Sequence, residues 1–213
     1  KDYLYVGFIG RFSVEKGIGR FCRIVEEILN KGENLGKVKF IVAGSGPLKS
    51  EIEKLESKYP GNFEYLGFVN PDRIFGITDV LLITSNTESM PLVALEAMKN
   101  SIPIISTNVG GIEDLVIDGF NGFKFSLSDD KMLLRKLSEF IQDKSQLSTL
   151  GANGAILYRK NFDLPIFCKA YNDSPGTNVY TPLRNFLPMT VDNNPNFSAH
   201  VSNVSLTFSP LVN

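Results

Sequence analysis

Two glutamates, Glu88 and Glu96, are separated by seven intervening residues in the stretch Asn86-Thr-Glu-Ser-Met-Pro-Leu-Val-Ala-Leu-Glu-Ala-Met98. The stretch begins as a polar turn and continues as a helix, directly after the apolar run Val80-Leu-Leu-Ile-Thr84. A strand that feeds a helix through such a turn sets side chains and unpaired backbone N–H groups at one edge of a sheet. Open α/β sheets bind their ligands at that edge. Spacing alone proves little, because Glu-x7-Glu arises often by chance. Each residue also has an ordinary explanation: Glu88 as a carboxylate favoured by a helix N-terminus, Glu96 as one exposed position of an amphipathic helix. Against the second, Glu96 sits between Leu95 and Met98 in a largely apolar segment, where an unpartnered carboxylate costs energy.

A cationic counterpart lies earlier, in Gly10-Arg11-Phe-Ser-Val-Glu-Lys16-Gly17. Arg offers a planar fork of donors and Lys a compact charge, and both suit a doubly negative diphosphate. A helix N-terminus behind them adds unsatisfied N–H groups and partial positive charge. Gly44-Ser-Gly46-Pro47 is a tight turn into a further helix, with Pro47 suited to its first turn. It follows a second strand, not the first, and lacks a third glycine, so it is no dinucleotide fingerprint. With one His and two Cys in the chain, a His- or Cys-based metal site is not expected.

These residues need a frame that brings them together. Tyr3–Ile9 is a near-continuous apolar run, as in a strand covered on both faces. Ile18–Lys31 follows with helical periodicity through Phe21, Ile24, Val25, Ile28 and Leu29. Val38–Ala43, Phe63–Phe68, Asp79–Thr84, Ile102–Ser106 and Gly122–Phe125 read as further strands. Helices are expected after Pro47, over Asp72–Thr78, Leu92–Asn100 and Ile112–Ile117, and near Lys131–Asp143 and Gln146–Asn161. Strands alternating with helices at this spacing predict an α/β fold, a doubly wound, Rossmann-like parallel sheet.

The chain of 213 residues is long enough for one good core and an appendage. Its 43% apolar and 21% charged residues are ordinary for a globular protein. A net charge of −1 gives no reason to expect nucleic acid as a partner. Cys22 and Cys168 read as buried free thiols in a reducing compartment, with one disulfide as the alternative. No apolar run approaches a membrane span, and the start at Lys1 reads as that of a fragment. Residues 1–171 are expected to form the domain. Residues 172–213, rich in Pro, Asn and Ser, read as a tail or linker, with one strand-like alternation at Val204, Leu206 and Phe208. The glycosylation-type triplets at Asn172, Asn196 and Asn203 are expected by chance in such sequence, and His200 reads as a solvated side chain.

Residues 10–17 resemble the Gly-Arg-Leu-x-x-Glu-Lys-Gly motif of the family-four retaining glycosyltransferases, which have the GT-B fold. The Gly44–Pro47 turn, the Glu88/Glu96 pair, Asn108-Val-Gly110-Gly111 and Asp118-Gly-Phe-Asn-Gly122 resemble the same family, in its order, over residues 3–162. The resemblance implies the C-terminal, nucleotide-sugar-binding half of a two-domain enzyme whose N-terminal, acceptor-binding domain is missing from this chain. It implies catalytic roles for Arg11, Lys16 and Glu88, and donor binding by Gly10, Gly44, Gly46, Ser89, Met90, Leu92 and Glu96, with Glu96 on the ribose. The implied donor is a UDP- or GDP-sugar, the acceptor a glycan or lipid, and the setting cytoplasmic or peripheral at a membrane's inner face. No cofactor and no metal are expected. A non-catalytic scaffold module, or a GT-B-fold epimerase or phosphorylase, are the alternatives.

Overall fold

A computed structural model describes residues 3–162. The expectations for residues 163–171, the tail at 172–213 and Cys168 lie outside the described residues. Six strands form the sheet: β1 (Leu4–Arg11), β2 (Val38–Ser45), β3 (Phe63–Tyr65), β4 (Val80–Ile83), β5 (Ile104–Thr107) and β6 (Gly122–Phe125). The helices are α1 (Ile18–Leu29), α2 (Lys49–Lys58), α3 (Pro71–Phe75), α4 (Leu92–Lys99), α5 (Ile112–Leu115), α6 (Asp130–Gln142) and α7 (Leu147–Asn161). All strand pairs are parallel and the order is β3-β2-β1-β4-β5-β6. The sheet is therefore doubly wound, and its order reverses between β1 and β4.

The two faces follow from the twofold alternation of side chains along each strand. Val80 and Leu82 of β4 join Phe8, Phe40, α1, α2 and α6 in one apolar cluster. Leu81 and Ile83 join Ile104, α4 and α5 in another, with Leu157 of α7. Ile41, Ala43 and Ile74 of α3 extend that second layer. The first cluster is centred on Phe21, whose ring lies 4.6 Å from that of Phe8 and 6.2 Å, edge-on, from that of Phe40. Because both faces are covered, the strands read as continuous apolar runs rather than alternating ones.

Several boundaries differ from those expected. Helix α1 ends at Leu29, not Lys31, and the chain turns through Gly32–Asn34, where Asn34 Nδ2 donates to the Ile28 carbonyl at 2.9 Å. Helix α2 begins at Lys49, so Pro47 lies in the preceding turn and not in the first helical turn. Helix α3 is shorter than predicted, ending at Phe75, and starts from the Asn70 side chain, which accepts from Asp72 N at 3.0 Å. Cys22 is half-buried rather than buried. Burial raises the Cys22 thiol to about 11, which keeps it protonated and unreactive at neutral pH.

Candidate functional site

Arg11 is the last residue of β1 and Thr84 follows β4 directly, so the loops after these two strands meet where the sheet order reverses. The β1 loop is stitched to the end of β4. Asn86 N donates to the Glu15 carbonyl at 2.8 Å, and Asn86 Nδ2 to the Val14 carbonyl at 2.7 Å. The buried Thr84 hydroxyl lies 3.2 Å from the carbonyls of both Lys16 and Gly17. Gly17 makes this approach feasible: its φ is 67°, and a Cβ there would stand 1.8 Å from the Thr84 carbonyl oxygen. Gly17 is thus the residue that lets the cationic loop settle onto β4.

The loop delivers Lys16 to Glu88. Lys16 Nζ donates to Glu88 Oε1 at 2.7 Å and Oε2 at 2.9 Å, across 72 residues of sequence. Ser85 Oγ donates to the same Oε1 at 2.6 Å. Glu88 lies four residues ahead of α4, whose first turn holds no acidic residue. The dipole explanation for Glu88 is therefore replaced by direct pairing with a cation. Arg11 is exposed at the end of β1, and its charge reaches Glu15. Glu15 is held below the usual carboxylate range, first by a hydrogen bond from the Ser13 side chain and further by Arg11.

Helix α4 starts at Leu92 behind Pro91, with no side-chain cap. Leu92 is exposed and leads a helix whose first N–H groups face out along its axis. Ser89 is exposed and Met90 half-buried in the turn between Glu88 and Pro91. One helical turn further, Glu96 is half-buried. Its carboxyl is pushed above its ordinary value, chiefly by loss of water, with Asp72 adding to the effect and Lys99 opposing it. Such a carboxylate accepts a hydrogen bond from a ligand hydroxyl with gain.

The glycines divide by what they touch. Gly44 has φ 138°, and a Cβ there would stand 1.9 Å from the Gly10 carbonyl oxygen. At Gly46 a Cβ would meet the Phe12 backbone at 2.5 Å. Both let β2 and its turn close against β1, while Gly10 itself has open space where its Cβ would be. Gly110 and Gly111 approach the carbonyls of Glu88 and Ser89, where a Cβ would lie at 1.6 and 2.3 Å. They clamp the glutamate turn through close contact of backbone with backbone.

Ser85 bonds directly to Glu88, and Arg20 and Asn86 brace the loops on either side of the pair, roles that sequence reasoning did not give them. Arg20 Nη1 donates to the Thr84 carbonyl and Asn86 Oδ1, Nη2 to the Leu127 carbonyl, and Nε to Asp130 Oδ1 at 2.9 Å. The one available signal was the polar run Thr84-Ser-Asn closing an apolar strand. Among the described residues, no group of three or more His, Cys, Asp or Glu is placed to hold a metal ion. Two shallow surface depressions, one along α2 at Ser50, Lys54 and Lys58 and one along α6 at Arg135 and Glu139, are lined by other residues than these, mostly polar and charged side chains.

The Lys16–Glu88 pair lies where the order of the doubly wound sheet reverses, the edge at which open α/β sheets bind ligands. Residues 1–156 match the model of the family described as glycosyl transferases group 1, and the chain belongs to that family. It is 29% identical over 157 residues to the capsular polysaccharide biosynthesis glycosyltransferase CapM of Staphylococcus aureus, covering 72% of this chain and 40% of CapM. An uncharacterized glycosyltransferase of Methanocaldococcus jannaschii, MJ1178, is 30% identical over 163 residues, covering 75% of this chain and 44% of its own. The chain thus spans less than half the length of these relatives. Its fold is also that of solved GT-B glycosyltransferases. Anabaena HepE in complex with UDP superposes with TM-score 0.68 at 21% identity, over 81% of this chain and 48% of HepE. The C-terminal domain of the Francisella tularensis group 1 glycosyl transferase LpcC gives 0.65 at 23%, over 76% of this chain and 87% of that domain.

Proposed function

We propose that this chain is the donor-binding domain of a retaining glycosyltransferase that moves a hexose from a nucleoside-diphosphate sugar to a glycan or lipid. The acceptor would be held by an N-terminal domain outside this chain, so the chain alone binds donor without transferring it. The observation that carries the reading is the Lys16–Glu88 pair across the β1/β4 switch point. Arg11 and Lys16, with the N-termini of α1 and α4, stabilise the diphosphate as it leaves the anomeric carbon. Glu96 accepts from the ribose hydroxyls, and Glu88 with the Ser89–Leu92 turn faces the sugar. The positive side chains supply the charge that a divalent metal supplies elsewhere, so binding requires no metal. HepE has been solved with UDP and UDP-glucose, and CapM is named for capsular polysaccharide. The first supports a sugar nucleotide as donor and the second polysaccharide assembly as the process; a cytoplasmic or inner-membrane-face setting belongs to the same proposal. Among the described residues no helix is long and apolar enough to cross a membrane.

The test is calorimetric titration of the chain with UDP, GDP and ADP in chelator, repeated on Glu96→Ala. The expected result is saturable binding of one nucleotide, weakened about tenfold by the substitution, the usual scale for one hydrogen bond to a charged group. Binding of none of the three, or equal binding by Glu96→Ala, overturns the assignment.

A further inference from the structure

Lys16, the cation best placed to meet a phosphate, is already engaged. Both oxygens of Glu88 accept from its Nζ, and Ser85 supplies the one other hydrogen bond to that carboxylate among the described residues. The two partners differ in exposure: the Glu88 side chain is 6% exposed and that of Lys16 35%. They also differ in freedom. The Glu88 backbone is clamped by Gly110 and Gly111, with Gly111 N donating to its carbonyl at 3.4 Å. The Lys16 ammonium rides on a flexible four-carbon stem. If one member is to move when an anion arrives, it is Lys16.

Its departure would leave Glu88 Oε2 with no donor in a nearly water-free position, and an ionised group so placed must find another donor. We infer that Lys16 exchanges partners on binding: a ligand phosphate takes the ammonium, and a hydroxyl of the same ligand takes its place on Glu88. The inference rests on the donor-site reading for the identity of the ligand, but the selection follows from the pair itself. The site favours molecules that join a diphosphate to a sugar whose hydroxyls reach Glu88, and resists phosphate alone. Once that sugar departs, Glu88 recaptures Lys16 and loosens the hold on the anion left behind. Glu88 thus acts as a specificity determinant and as a release device for the nucleoside diphosphate.

The experiment titrates the wild-type chain, Glu88→Gln and Ser85→Ala with inorganic pyrophosphate, UDP, UDP-glucose, GDP and GDP-mannose. Folding of each is checked by thermal unfolding. Glutamine keeps the acceptor for Ser85 but cannot hold a cation, so Glu88→Gln should bind pyrophosphate and the bare nucleotide about tenfold tighter than wild type. The preference for sugar nucleotide over bare nucleotide should shrink by a similar factor. Ser85→Ala, which leaves Glu88 more dependent on Lys16, should move bare-nucleotide affinity in the opposite direction. If Glu88→Gln binds pyrophosphate no tighter than wild type, the exchange is wrong, and nucleotide binding by wild type would leave the donor-site reading standing. If no nucleotide binds wild type, the donor reading falls, and pyrophosphate alone decides the exchange: tighter on Glu88→Gln supports it, equal or absent overturns it.

Discussion

At Glu96 a carboxylate is half withdrawn from water, with Asp72 pressing on it and Lys99 only partly offsetting the burden. Because its folded pKa is raised above the unfolded value, folding favours the protonated form. That contribution is fully present below the unfolded pKa and is lost as pH rises through the folded one. Glu96→Gln should therefore unfold at the same temperature as wild type in acid. It should gain about 1–2 °C at neutral pH in thermal melts, while losing nucleotide affinity. A residue that is better replaced for stability than kept is one retained for binding. Arg11, Lys16, Glu88 and Glu96 stood out as candidates in the sequence because each is a chemically distinctive side chain on a loop or helix recognisable from its own neighbours. Ser85 and Arg20 did not. Ser85 is an ordinary residue at a strand end, and the partners of Arg20 lie 64 to 110 residues away, beyond anything a local pattern encodes.

The Gly10–Gly17 loop and the Thr84–Asn86 strand end behave as one element, joined by backbone carbonyls and the side chains of Thr84 and Asn86. Gly17→Ala places a methyl 1.8 Å from the Thr84 carbonyl oxygen at a φ of 67°. It should cost about 2–4 kcal/mol in urea unfolding and lower nucleotide affinity as well, because Lys16 is its neighbour. An unchanged unfolding midpoint would show that the loop can lift from β4 without loss. Strands and helices themselves were readable, since apolar runs and the 3.6-residue period are written into each segment. Their ends were less so. Helix α1 stops at Leu29 because the chain turns back to satisfy Ile28 through Asn34, an interaction that hydrophobic period does not encode. Pro47 looked like a helix start by composition, yet Gly46 and Phe12 fix the preceding turn by close backbone contact.

For the whole molecule, a net charge of −1 provides no general attraction for anions. Any hold on a diphosphate comes from the few groups at one edge of the sheet. Screening shortens the Debye length from about 14 Å at 0.05 M to about 4 Å at 0.5 M. UDP affinity in isothermal titration should fall by roughly tenfold over that range. Insensitivity to salt would point to binding through the nucleoside alone. The parallel α/β class was evident from the alternation of elements, but the order β3-β2-β1-β4-β5-β6 was not, since pairing of β1 with β4 joins segments far apart in sequence. That pairing also sets when the molecule becomes competent. A nascent chain that has emerged as far as Phe75 carries the cationic loop and three strands of the sheet, but no carboxylate for Lys16. Competence arrives only when β4 inserts beside β1 and brings Glu88 with it. Under the proposed function, sugar nucleotide, binding only once β4 lies beside β1, would then draw newly made chains toward that step by mass action.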